Sequence, residues 1–246
     1  VILLTGDHIV ASRSLYGGTY NLLANTLPRF GITTTFVDPD NPDEFTKAVK
    51  SNTRVFFAES LGNPKLDVID LKSISDAAKI AKVPFIVDNT VASPALLNPI
   101  EHGANIVIHS LTKYLTGNGT SIGGVIIDAG TFDWANGNFP EFTEPNPSYH
   151  GLKYHEVLGN IAFIAKARIE GLRDLGSAPS PFNSFQTIQG IETLDIRMKK
   201  HSENALKLAA WLSTKEEVAW VNYPGLKTSK YNTLAKKYLP KGQSGI

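Results

Sequence analysis

Pro84-Phe85-Ile86-Val87-Asp88 and Asn105-Ile106-Val107-Ile108-His109-Ser110 decide the fold. Each is a short, almost unbroken apolar run that ends on a polar residue. A strand with one wet face alternates apolar and polar residues, whereas a strand covered on both faces is apolar nearly throughout. Both runs therefore read as buried strands of a mostly parallel sheet. The same texture recurs on either side. Arg54-Val55-Phe56-Phe57-Ala58, Gly124-Val125-Ile126-Ile127 and His8-Ile9-Val10-Ala11-Ser12 are further strands, and Thr33 to Val37 is rich in β-branched residues. Helical patterns lie between them. Leu22, Leu23 and Leu27 follow Gly17-Gly18, and Pro42-Asp43-Glu44 has the proline and acids that suit a helix N-terminus. Leu71, Ile74, Ala77, Ala78 and Ala81 recur at helical spacing. Strands alternating with helices predict an α/β fold whose sheet is covered by helices on both faces.

After residue 130 the texture changes. Residues 131 to 151 are polar, aromatic and proline-rich, with Phe132, Trp134, Phe139, Phe142 and Tyr149 among them. A stretch of this length without evident secondary structure points to a functional loop or a contact between subunits. Residues 155 to 175 and 181 to 213 read as helical, and Val218 to Val221 as the first strand of a smaller unit. The predicted division is a large α/β domain over 1–215 and the start of a small C-terminal domain over 216–246.

Composition narrows the function. Lys and Arg total 24 against 23 acidic residues, a net charge of +1, which removes the electrostatic case for a nucleic-acid or anionic-membrane binder. Apolar residues make up 42% of the 246, enough for a large core. No apolar run approaches the roughly 20 residues of a membrane helix. With no cysteine there is no disulfide, thiolate metal site or cysteine nucleophile. No Gly-x-Gly-x-x-Gly or Walker lysine pattern occurs, His155-Glu156 lacks the second histidine of a zincin helix, and the six histidines have no ligand spacing. The sequon Asn118-Gly119-Thr120 has no secretory context.

What remains is a constellation at strand ends, where ligands bind in open α/β sheets. Asp88 ends one buried strand; it is either a ligand group or the cap of the next helix. Lys113 follows another in Ser110-Leu111-Thr112-Lys113, as a snorkelling surface residue or a partly desolvated amine able to form a Schiff base. Ser110 and Thr112 offer hydroxyls to a phosphate, and Gly117, Gly119, Gly123 and Gly124 keep the nearby backbone uncluttered. Tyr16, beside Gly17-Gly18, offers an aromatic face. An amine, an acid, hydroxyls and an aromatic face are the needs of pyridoxal phosphate. His109 reads as a satisfied core histidine, Arg13 as a solvated strand-end arginine, and Lys199-Lys200-His201 as an exposed helix face.

At Tyr16-Gly17-Gly18-Thr19, Glu59-Ser60-Leu61-Gly62-Asn63-Pro64, Val87-Asp88-Asn89-Thr90 and His109-Ser110-Leu111-Thr112-Lys113-Tyr114, the chain resembles the Cys/Met-metabolism family of fold-type I pyridoxal-phosphate enzymes. The resemblance runs over essentially all 246 residues. Phe139 to Pro145, Pro147 to Leu152 and Gln189-Gly190-Ile191-Glu192-Thr193-Leu194 are similar to the O-acetylhomoserine sulfhydrylase subgroup. The resemblance implies γ-replacement of O-acetyl-L-homoserine by sulfide or methanethiol. It implies Lys113 as Schiff-base lysine and proton carrier, Asp88 at the pyridine nitrogen, and Tyr16 stacked on the ring and assisting proton transfer. It also implies Ser110 and Thr112 on the phosphate, Asn63 on the 3′-oxygen, and Thr90 as a ring neighbour. A cytoplasmic homotetramer of dimers with shared sites, and no metal, complete the expectation.

The family pattern is interrupted at both ends. Its glycine-containing phosphate loop ordinarily precedes the position of Val1, and its C-terminal carboxylate-binding domain follows that of Ile246. The chain is therefore expected to be part of a longer one, with doubtful activity alone. Two alternatives stand beside the sulfhydrylase: a methionine γ-lyase or cystathionine γ-synthase on the same fold, and an inactive scaffold or assembly domain.

Overall fold

The computed structural model describes residues 1–246. Strands β1 (His8–Ser12), β2 (Thr33–Val37), β3 (Thr53–Glu59), β4 (Phe85–Asp88), β5 (Ile106–Ser110) and β6 (Gly124–Asp128) form one sheet in the order β2-β1-β3-β4-β5-β6. The first five run parallel, and β6 pairs antiparallel with β5. This is the expected mostly parallel α/β sheet.

The continuous apolar runs are explained by the two faces they fill. Side chains alternate across a strand. Val10, Phe56, Ala58, Phe85, Val87 and Val107 pack on one face with Leu71, Ile74, Ala77 and Ala78 of the helix Leu71–Ala81, and with Leu194 and Met198 of the helix Leu194–Leu212. Their neighbours Ile9, Ala11, Val55 and Ile106 belong to a second core on the other face. Asp70 caps the helix Leu71–Ala81 by accepting the Ser73 N–H, and Lys82 ends it in the left-handed conformation.

That second core corrects the reading of residues 131–151. Trp134, Phe139 and Phe142 are buried in it, with Trp134 stacked on Phe142 at 4.3 Å and on Phe163 at 5.4 Å. These aromatics close the sheet face that the helices Tyr154–Leu158 and Ala162–Lys166 do not cover alone. A segment poor in regular structure is here a structural lid.

Val218 to Val221 form no strand. Their β-propensity has no neighbouring strand to satisfy its backbone, and Trp220 is largely exposed. The residues that follow turn back on the main core, where Tyr231, Ala235, Tyr238 and Leu239, in and around the helix Asn232–Tyr238, are buried against the first sheet face.

The order of connections reverses between β1 and β3. In open α/β sheets a crevice opens outside the strand carboxyl ends at such a reversal.

Candidate active site

A cleft of about 730 Å³ lies at that crevice. Tyr16 reaches it from the turn after β1, Glu59 and Asn63 from the end of β3 and its loop, and Asp88 and Thr90 from the end of β4. Ser110, Thr112 and Lys113 enter from the end of β5. The structure thus brings every sequence-predicted site residue into one cavity: Lys113, Asp88, Tyr16, Asn63, Ser110, Thr112 and Thr90.

Lys113 lies in the helical segment Leu111–Leu115, where its own φ of −96° and ψ of −128° depart from helical geometry and break the turn. Its Nζ is 5.9 Å from the centroid of the Tyr16 ring. Lys113 is exposed, and Tyr16 is 52% exposed. The aromatic face and the amine are therefore both open to a ligand between them.

Asp88 does not cap the next helix. The helix Ser93–Leu96 has Ala92 at its N-cap and no side-chain cap, and Asp88 Oδ1 instead accepts the Thr90 N–H at 2.9 Å. Burial raises the Asp88 carboxyl above its ordinary range, against the opposing pull of the hydrogen bonds from Thr90. A desolvated carboxylate of this kind gains most from a cationic hydrogen-bond donor. Thr90 Oγ1 accepts the Ser110 N–H at 2.8 Å and so ties the end of β4 to the end of β5. Thr112 Oγ1 is 3.4 Å from Gly123 O and 3.3 Å from Gly123 N, while Ser110 Oγ makes no hydrogen bond within the chain. Asn63 donates its backbone N–H to Glu59 and lines the cleft.

His109 is buried as expected, yet its Nδ1 has no partner, and burial pushes its imidazole down to about 4. Arg13 is half-exposed and paired with Asp38 at 2.9 Å. Lys199, Lys200 and His201 are all exposed as expected, and His201 also packs against the Tyr114 ring at 5.4 Å and lines the cleft.

Sequence reasoning missed the support behind Lys113. Arg197, on the helix Leu194–Leu212, donates from Nη1 to Tyr114 O at 2.8 Å and from Nη2 to Gly190 O at 2.7 Å. Its Nε donates to Thr193 Oγ1 at 3.1 Å. The planar guanidinium thereby clamps the end of the lysine-bearing turn to the helix Pro181–Glu192. Gly190 permits the approach: a Cβ there would stand 2.2 Å from Thr116 O. No local pattern marks these contacts, because they join segments far apart in the chain.

The donor set fits pyridoxal phosphate. An open amine faces an aromatic ring, a desolvated carboxylate stands at the cleft wall, and a hydroxyl without an internal partner lies beside the lysine turn. An open parallel sheet with this set at its strand ends defines a cofactor-binding enzyme domain. The chain belongs to the Cys/Met metabolism PLP-dependent enzyme family, whose pattern matches residues 1–246. It is 57% identical to the O-acetyl-L-homoserine sulfhydrylase of Leptospira meyeri, over 99% of this chain and 57% of that protein. A Campylobacter jejuni structure assigned as an O-acetylhomoserine (thiol)-lyase superposes with a TM-score of 0.95 at 40% identity, covering 99% of this chain and 61% of that one. That structure contains N′-pyridoxyl-lysine-5′-monophosphate. The O-acetylhomoserine sulfhydrylase of Wolinella succinogenes superposes with a TM-score of 0.86 at 34% identity, over 98% of this chain and 66% of that one. The chain spans a little over half the length of the curated relatives it matches.

Proposed function

We propose that this protein carries out pyridoxal-phosphate-dependent γ-replacement on O-acetyl-L-homoserine, with sulfide or methanethiol as the incoming nucleophile. The products are L-homocysteine or L-methionine, and acetate. The observation that carries this reading is the approach of the Lys113 amine to the open Tyr16 ring, with Asp88 in the same cleft. The similarity to sulfhydrylases supports the substrate class.

When bound, pyridoxal phosphate supplies an electron sink for negative charge at the α-carbon of an amino acid. The protein's part is to bind, orient and move protons. Lys113 Nζ would hold the cofactor, and would take and return the protons on the substrate's α- and β-carbons. The Asp88 carboxylate would pair with the ring nitrogen and favour its protonated form, and its burial would strengthen that pairing. Tyr16 would pack against the ring and assist proton movement beside Lys113. Ser110 and Thr112 would bind the phosphate and Asn63 the 3′-oxygen, and Thr90, whose Oγ1 joins the ends of β4 and β5 by accepting the Ser110 N–H, would border the ring.

Residues 1–215 serve as the cofactor-binding domain and residues 216–246 as the beginning of a smaller C-terminal one. The family resemblance further suggests a cytoplasmic homotetramer built from dimers. No helix is long and apolar enough to cross a membrane.

The test supplies O-acetylhomoserine to the protein with pyridoxal phosphate, with and without sulfide. Acetate released only with sulfide, together with homocysteine, is the expected result. 2-Oxobutanoate formed without sulfide would make the protein a γ-lyase. Cystathionine formed from added cysteine would make it a synthase.

A further inference from the structure

One buried group in the cleft wall has no task in the reaction above. Glu59 ends β3, is 4% exposed, and stands in register beside Asp88 on β4. A buried carboxylate is costly unless a cation or hydrogen bonds compensate it. No lysine, arginine or histidine forms an ion pair with Glu59, so hydrogen bonds alone fill that role. Its Oε1 accepts the backbone N–H of Tyr16 at 2.6 Å, and its Oε2 accepts the backbone N–H of Asn63 at 3.2 Å. Tyr16 and Asn63 belong to turns that follow different strands, and both line the cleft. One carboxylate therefore holds two pieces of the wall in a fixed relation.

We propose that Glu59 is a positioning residue, bridging the Tyr16 and Asn63 backbones so that the Tyr16 ring and the Asn63 amide meet the cofactor together. The inference rests on the pyridoxal-phosphate reading of the cleft. The chemistry of the bridge is specific. Glutamine offers one acceptor oxygen and sets its NH₂ against the second N–H donor. Aspartate keeps both acceptors but is one methylene short of spanning the gap. Burial and the neighbouring Asp88 push the Glu59 carboxyl up to about 7, opposed by the two N–H groups that favour its charge. Those two donors matter most when that charge is present.

The test compares the full chain in wild-type, E59Q and E59D forms. Amide hydrogen exchange is read by residue without ligand, and pyridoxal 5′-phosphate is titrated by protein fluorescence. In E59Q, exchange at Tyr16 or Asn63 is expected to accelerate about tenfold, the loss of one hydrogen bond to a charged acceptor. Protection of Phe56 and Val87 in the strand cores should be kept, and the Kd for pyridoxal phosphate should rise about tenfold. E59D, which loses reach and not charge, should show the same pattern more weakly, and it carries the test if E59Q does not fold. Unchanged exchange at both amides, or faster exchange with cofactor affinity intact, overturns the proposal. Wild-type protein that binds no pyridoxal phosphate would instead refute the cofactor reading, and the exchange measurement separates that failure from failure of the bridge.

Discussion

Gly190 lies inside the helix Pro181–Glu192, where exchanging glycine for alanine ordinarily gains about 1 kcal/mol. At this position the sign should reverse. A methyl group would stand 2.2 Å from Thr116 O and 2.6 Å from Leu115 O. Both are backbone atoms of the turn that follows Lys113, and neither can swing aside as a side-chain tip can. Restoring a normal carbon–oxygen separation requires the helix and the turn to part by roughly 1 Å. The Arg197 guanidinium resists, because it bridges Gly190 O at 2.7 Å to Tyr114 O at 2.8 Å. Overpacking of this kind costs roughly 1–3 kcal/mol, and stretching the charge-assisted bonds costs about 1 kcal/mol more. The helix-propensity gain of about 1 kcal/mol offsets the last figure, leaving a net loss of about 1–3 kcal/mol. For a chain of this size each kcal/mol corresponds to roughly 2–4 °C, so Gly190→Ala should lower the Tm by about 2–12 °C. Thermal unfolding followed by circular dichroism, on wild type and G190A side by side, measures it. A Tm equal to or above wild type would show that the helix does not press on the lysine turn, and would refute the reasoning.

Three further perturbations probe other parts of the molecule. Thr90→Val deletes the acceptor for the Ser110 N–H and should cost about 1–3 kcal/mol in urea denaturation; wild-type stability would mean that the ends of β4 and β5 are held by something else. Trp134→Ala should lose about 3–5 kcal/mol, because the indole fills the second core between Phe142 and Phe163. Trp134→Phe should cost much less, since it also removes an indole N–H that has no partner; equal losses would show that the ring stack is not what matters. Burial pushes both His8 and His109 down to about 4 in the folded chain, while an unfolded imidazole titrates near 6.5. From pH 6.5 down to 4 the unfolded chain therefore takes up protons that the folded chain does not, and stability falls over that window. Glu59, raised to about 7, acts in the opposite direction: its contribution is complete below its ordinary carboxyl range and is lost as pH rises through 7. His109→Gln should flatten the loss measured by urea midpoints between pH 7 and 4.5, and an unchanged slope would contradict the burial argument.

The sheet was legible because burial on both faces leaves apolar runs that no half-wet strand can carry, as in Phe85-Ile86-Val87 and Ile106-Val107-Ile108. The polar residue ending each run then marked the cleft, so Asp88 and Lys113 could be named without coordinates. Other features could not be read because they depend on distant segments. Whether Asp88 caps a helix turns on where that helix begins, and it begins after Ala92. Arg197 carries no local mark in the sequence, because the Tyr114 O and Gly190 O that it bonds lie on other segments. Glu59 was one letter in a motif, because its partners are backbone N–H groups that no side-chain pattern reveals. Val218 to Val221 had the composition of a strand but no strand beside it. The aromatics of residues 131–151 resembled a contact surface only because the sheet face they cover was not in view.

Whether Lys113, Asp88 and Tyr16 form one pyridoxal-phosphate site is read by adding the cofactor, reducing with borohydride, and mapping the pyridoxyl group by peptide mass spectrometry in wild-type and Asp88→Asn protein. The label is expected on Lys113 in wild type and sharply reduced in D88N. A label spread over exposed lysines with Lys113 unmodified, or one indifferent to Asp88, would contradict a single site.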